Sequence, residues 1–273
     1  VTRCIDTDGV FRGNYEVDIR SQHLSGILSE IYRDADEVSF GAVVSLDEEE
    51  LQLLYHARSV LSAKLQDAVQ ARHSELIFEL DALLGYTNEH FERVVSDLHA
   101  LPLNYITFDH LWTLFPPNTL VYTKDNLNQA KLYRVKSSEY LKHRDGTVEY
   151  LLHADYLDSD GRQTGHVRRQ KLKTNSFQGC MPIQHLFAYP LELHPQHENL
   201  RRELILRGEK LLQLQGRRLQ EYKGHALQEH KPSFPGDEET TEIFNVCVQF
   251  LRTISEPSET VPLIPTYLLT HEL

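Results

Sequence analysis

His185, His194 and His197 form the densest imidazole group in the sequence, and the spacing of His194 and His197 would let one helix face present both. Paired imidazoles are zinc-ligand chemistry, but a zinc site takes three or four protein ligands. Pro195 stands between the pair, and no cysteine or carboxylate set completes a site. Surface and helix-capping histidines are the preferred reading, and no metal ligand is assigned. Asp158, Asp160 and Gly161 raise the question of a calcium loop, which needs oxygen ligands at its first, third, fifth and twelfth positions around a glycine at the sixth. With Gly161 at the sixth, Tyr156 falls at the first and Val167 at the twelfth, so a hairpin turn is the better reading.

Motifs for covalent or nucleotide chemistry are absent. The sequence has no HExxH, no GxSxG elbow, no GxGxxG loop and no GxxxxGK[ST] phosphate loop. Gly208-Glu209-Lys210 reads as a helix fragment without a phosphate cradle, and Cys180 has no spacing that singles out a partner histidine. The chain is therefore expected to carry no catalytic and no cofactor-binding residue, and not to be an enzyme.

Basic residues gather in the second half, at Arg134, Lys136, Arg168, Arg169, Lys171, Lys173, Arg201, Arg202, Arg207 and Lys210, and continue through Arg217, Arg218 and Lys223. Tyr133, Tyr140, Tyr150 and Tyr156 stand among them. Rings and cations in this mixture can stack bases and contact phosphates, which makes single-stranded nucleic acid one candidate partner. The competing reading, a solvated polar face complementary to an acidic helical half, is preferred.

The stretch ITFDHLWTLFPPNTLVYT at 106–123 places Phe108, Leu111, Trp112 and Phe115 on one short helical face before Pro116-Pro117 stops it. These residues predict a buried plug joining a helical and a β-rich half, with the only tryptophan at its centre.

The elements around it follow from periodicity. Tyr15, Val17 and Ile19 alternate as a strand, and Ser21 caps a helix carrying Leu24, Ile27, Leu28 and Ile31. Ser45 and Glu48 stand three apart as a capping box ahead of Leu51, Leu54, Leu61 and Leu65. A further apolar stripe runs from Ile77 to Leu98, with Gly85 interrupting one helix or separating two. The period then changes: 119–123, 130–137, 147–157 and 163–172 read as strands, with Asp145-Gly146 and Asp160-Gly161 as hairpin turns. A strand over 183–191 leads to Pro195 at the first helical position, then to a helix through Leu214 that ends near Gly216. The fold class is α+β: a mostly helical lead-in at 1–105, then a β-rich domain at 106–225, an antiparallel meander or small barrel closed by a long helix. Residues 226–273 form a poorly specified, Pro-marked tail, in which Ile243–Ile254 could be one amphipathic helix or strand.

Bulk properties agree with a folded, soluble, intracellular chain, cytoplasmic or nuclear. The 273 residues carry 28 basic and 40 acidic side chains, a net charge of −12, which excludes a surface that coats nucleic acid or anionic membrane throughout. No apolar run is long enough to cross a bilayer. Cys4, Cys180 and Cys247, widely spaced and odd in number, fit free thiols in a reducing compartment. The sequence starts at Val1 and its single methionine is Met181, so it is expected to be a piece of a longer protein.

The aromatic block resembles a known family when it is followed by YRVKSSEY at 133–140, ADYLDSDGRQTG at 154–165, AYPLELHP at 188–195, LRRELILRGEKLLQLQG at 200–216 and EYKG at 221–224. Together they resemble the uncharacterised domain of unknown function that precedes the motor core in many fungal AAA+ ATPases. IRSQHL at 19–24 and LLYHARSVL at 53–61 are similar to the helical lead-in of the same proteins. The resemblance covers roughly 15–225. It implies a non-catalytic recognition or regulatory module that binds a protein partner or the motor ring, with ATP and magnesium held only by the motor core, which this chain lacks. The matching positions are Phe108, Trp112, Phe115, Pro116, Tyr122, Tyr140, Tyr156, Asp158, Asp160, Gly161, Tyr189, Pro190, His194, Pro195, Arg207, Gly208, Tyr222, Lys223 and Gly224. The family attaches no role to them. The segment ending THEL departs from the polar linker that the family carries toward its motor.

Overall fold

The computed structural model describes residues 2–3, 15–35, 40, 44–47, 49–125, 128–159, 164–213, 220–230 and 240–250. The expected turn at Asp160-Gly161 lies outside the described residues. Two compact units divide the chain: Val1–Val121 with Arg134–Ala154 and Lys171–Pro190, and Tyr122–Tyr133 with Asp155–Gln170 and Leu191–Leu273.

In the first unit, β1 (Thr2–Arg3), β2 (Tyr15–Ile19) and β3 (Val44–Leu46) form an antiparallel sheet in that order. Helix α1 (Gln22–Ile31) starts where the sequence predicts, because the Ser21 hydroxyl accepts the Leu24 amide at 3.2 Å. Helix α2 (Leu51–Ala71) does not start from Ser45, which belongs to β3, while Glu48 lies outside the described residues. The box forms two residues later: Asp47 Oδ1 accepts the Glu50 amide at 2.8 Å and Glu50 Oε2 accepts the Asp47 amide at 3.1 Å. The strand pairing of Ser45 with Asp18 removes it from the competition for the helix end.

A two-residue turn joins α2 to α3 (Ser74–His90). Arg72 takes a left-handed conformation at φ 55°, and His73 Nδ1 accepts the Leu76 amide at 3.2 Å to cap α3. The helices pack through Leu51, Leu54 and Leu61 of α2 and Leu80, Leu83 and Leu84 of α3, all buried. Gly85 neither interrupts nor separates a helix; it lies inside α3. The break falls at Phe91, ahead of α4 (Glu92–His99), where the buried Phe91 ring meets Tyr55 at 5.3 Å.

After α4 come β4 (Tyr105–Thr107), a 3-10 turn at Phe108–Leu114, and β5 (Leu120–Lys124). Pro117 and Asn118 form a tight turn in which the Pro116 carbonyl accepts the Thr119 amide at 3.1 Å and Asn118 takes φ 70°. Strands β6 (Ala130–Lys142), β7 (Val148–Ser159) and β8 (Thr164–Asn175) follow. The β6–β7 hairpin closes at Asp145-Gly146 as expected, with Gly146 at φ 87° and its amide bonded to the His143 carbonyl at 3.1 Å. Strand β9 (Cys180–Pro182) pairs antiparallel with β4.

The expected strand at 183–191 is mostly absent: Ile183–His185 and Leu191–Leu193 are 3-10 turns, and only β10 (Tyr189–Pro190) is extended. Pro182 and Pro190 lack the amides that would lengthen a ladder, which confines β10 to a sheet edge. The five-stranded sheet has the order β10-β5-β6-β7-β8, so the antiparallel arrangement is present and the barrel alternative is not: the sheet is open. Tyr150, Leu151, Leu152 and Ala154 of β7 are all buried, which places both faces of this inner strand in the core.

The second unit contains helix α5 (His197–Gln213), which Pro195 precedes by two residues rather than opening. Within the tail region, β11 (Gln220–His230) and β12 (Thr240–Phe250) pair antiparallel from Gln220↔Phe250 to His230↔Thr240. Of the two alternatives for 243–254, the described part, 243–250, is strand.

Candidate interaction site

The aromatic block forms a buried plug within the first unit. Phe108, Leu111, Trp112 and Phe115 are all buried, and the 3-10 turn aims them at different partners. Trp112 meets Tyr55 at 4.8 Å, His56 at 5.8 Å and Phe91 at 5.7 Å, all from the helices or their junction. Phe108 meets Tyr140 of β6 and Phe177 of the β8–β9 connection, and Phe115 stacks on Tyr150 of β7 at 5.9 Å. The Tyr140 hydroxyl donates to the Phe108 carbonyl at 2.9 Å, and burial pushes its pKa up while hydrogen bonds from the Trp112 and Leu111 amides pull it down. Burial likewise pushes the His56 pKa down to about 4, although the nearby Trp112 backbone favours the charged ring. His56 had no signature in the sequence, where it is one histidine in an otherwise ordinary helix.

In the second unit the expected positions gather around α5. Arg207 is half-buried, and its Nη2 donates to the Ala130 carbonyl at 2.6 Å. Burial lowers its pKa, while Asp125 and Glu203 favour the charged form. Ahead of the helix, His194 packs against the Tyr122 ring at 4.8 Å, and its Nδ1 accepts the Gln196 amide at 3.1 Å. Burial, His197 and Lys124 all hold His194 below the usual imidazole range. His194 thus braces the turn ahead of α5, and His197 Nδ1 lies 3.2 Å from the His194 carbonyl. Among the described residues no three His, Cys, Asp or Glu side chains are grouped to hold a metal ion.

Tyr133 and Tyr156 pack edge to face at 5.2 Å, and the Lys131 ammonium sits 3.6 Å from the Tyr156 ring centre and 5.2 Å from that of Tyr133. Burial, then the neighbouring Tyr156, Asp125 and Asp158, push the Tyr133 phenol up. Lys131 is absent from the basic residues singled out above, although Lys131 and Tyr133, two apart on one strand, share a face. Tyr189 and Pro190 are buried at the sheet edge, and Gly208 lies inside α5. Tyr222, Lys223 and Gly224 pair with Val248, Cys247 and Val246 in the β11–β12 ladder.

Arg207 anchors α5 through the Ala130 carbonyl, and the opposite side of the helix exposes aliphatic residues among the charged Arg202, Glu209 and Lys210. Leu200, Leu204, Arg207 and Gly208 are partly covered, whereas Ile205, Leu206 and Leu212 are 55%, 59% and 54% exposed. Three large aliphatic side chains at that exposure on one helix form a surface that another protein could bury.

Residues 92–195 match a family described as a domain of unknown function, DUF7025. No curated protein and no solved structure matches the chain. The matched segment begins at α4, contains the whole aromatic plug and ends at Pro195, just before α5. It includes Trp112, Tyr122, Tyr156 and His194, but not Arg207 or Gly208. Among the described residues no helix is long and apolar enough to cross a membrane.

Proposed function

We propose that the chain is a non-catalytic recognition and regulatory module that precedes an AAA+ ATPase core in a longer protein, and that it docks on the motor ring. ATP and magnesium belong to that core in this reading. The observation that supports it is the exposure of Ile205, Leu206 and Leu212 on α5, a helix that Arg207 anchors through the Ala130 carbonyl. An anchored helix that exposes large aliphatic side chains is suited to a protein groove rather than to a small substrate. The nucleic-acid alternative has less support, because the Tyr133, Tyr150 and Tyr156 rings needed for base stacking are buried.

Two measurements test the reading. The reading frame beyond Leu273 is expected to continue into a phosphate-loop motif. The purified chain is expected to hydrolyse no ATP above the buffer rate, and turnover abolished by a point substitution within 1–273 would refute the non-catalytic assignment.

A further inference from the structure

The first unit has an open cavity of about 360 Å³ between the start of α2, strand β3 and the middle of β6. That volume lies at the small end of the range for ligand sites, roughly 300 to 1,000 Å³. Its apolar lining is Phe40, Val44, Leu46, Leu53, Phe115 and Pro117, and its polar lining includes His56, Ser137 and Ser138. The residues come from both the helical lead-in and the DUF7025 segment, so the cavity exists only when the two fold together.

We propose that this cavity binds a small, uncharged ring compound bearing one hydroxyl or N–H group, which donates to His56. The aliphatic and aromatic lining favours a ring, and the two phenylalanines offer edge or face contacts. His56 lines the cavity, and a neutral imidazole has one acceptor nitrogen, which can take a ligand hydroxyl or N–H. Burial keeps that ring neutral near pH 7, so it offers no charge to an anion. Glu49 and Glu50 also line the cavity against a single lysine, Lys136, which further disfavours a carboxylate. The inference is independent of whether α5 docks on a motor.

Trp112, the single tryptophan, lies 5.8 Å from His56 and is a built-in reporter. The test titrates the full chain at neutral pH with phenol, toluene, phenylacetate and phenethylamine, following Trp112 fluorescence and, in parallel, ligand-detected saturation-transfer NMR. Phenol is expected to give a saturable response at least about tenfold tighter than toluene, roughly the worth of one hydrogen bond. The two charged probes are expected to bind more weakly than phenol. His56→Phe is expected to bring phenol to the toluene level while leaving toluene unchanged. If that variant fails to fold, the wild-type ligand series decides alone. Equal binding of phenol and toluene, tighter binding of either charged probe, or no saturable response in both measurements would overturn the proposal.

Discussion

The Trp112 indole lies edge-on to the Tyr55 ring, with centroids 4.8 Å apart, and Phe91 closes the triangle at 5.3 Å from Tyr55 and 5.7 Å from Trp112. One residue from the aromatic block thus holds α2 and the α3–α4 junction together. Trp112→Ala is expected to cost about 3 to 5 kcal/mol, the usual range for a buried aromatic. Thermal melting followed by circular dichroism measures it. An unchanged midpoint would mean that the plug does not hold the unit together.

The buried His56 makes stability depend on pH. Its pKa falls from an ordinary 6.5 to about 4 on folding, so the unfolded chain takes up the proton first. The contribution is complete above pH 6.5, shrinks as pH falls, and is lost on passing through about 4, for a total of about 3 kcal/mol. Glu149, held low by its hydrogen bond to His143 and by Lys173, changes charge below the ordinary carboxylate range and does not obscure the window between pH 6.5 and 5. Urea midpoints across that window should decline for the wild type and decline less for His56→Phe. Parallel declines would exclude His56 as their source.

The shifted capping box is separable by two substitutions. Asp47→Ala removes the acceptor of the Glu50 amide and is expected to cost about 1 kcal/mol, whereas Ser45→Ala, on an exposed strand position, should cost little. The reverse order in urea denaturation would restore Ser45 as the cap.

Much of the fold was legible because local chemistry decided it. Ser21 caps α1, Gly146 supplies the positive φ of the β6–β7 turn, and the aromatic turn ends at Leu114, just ahead of Pro116-Pro117. The failures arose where pairing or packing over longer distances prevailed. Ser45 was claimed by a strand, Phe91 broke a helix that Gly85 did not, and Pro190 shortened a strand that composition favoured. The candidate site was legible only in part. Tyr122 came from a resemblance, His194 and Arg207 also from the histidine group and the basic cluster, while Lys131 and His56 owe their settings to residues distant in sequence, which no local pattern encodes.

Gly208 is inside α5, and a Cβ there would meet no atom within 4 Å. Gly208→Ala is therefore expected to stabilise the chain by roughly 0.5 to 1 kcal/mol, through the lower backbone entropy of the unfolded state. Equilibrium urea denaturation reads this directly, and a loss of stability would show that the helix packs more closely around Gly208 than its surroundings indicate.

The central claim is that α5 presents a protein-docking face, and calorimetric titration of the chain into the AAA+ core that the proposal places downstream tests it most directly. Wild-type chain is expected to bind saturably. Chain carrying Ile205→Asp and Leu206→Asp, both at exposed positions and so expected to fold normally, should lose binding at least about tenfold, since removal of a docking anchor costs upward of about 1 to 2 kcal/mol. Undiminished binding by the folded double variant, or no binding by the wild type, would contradict the account.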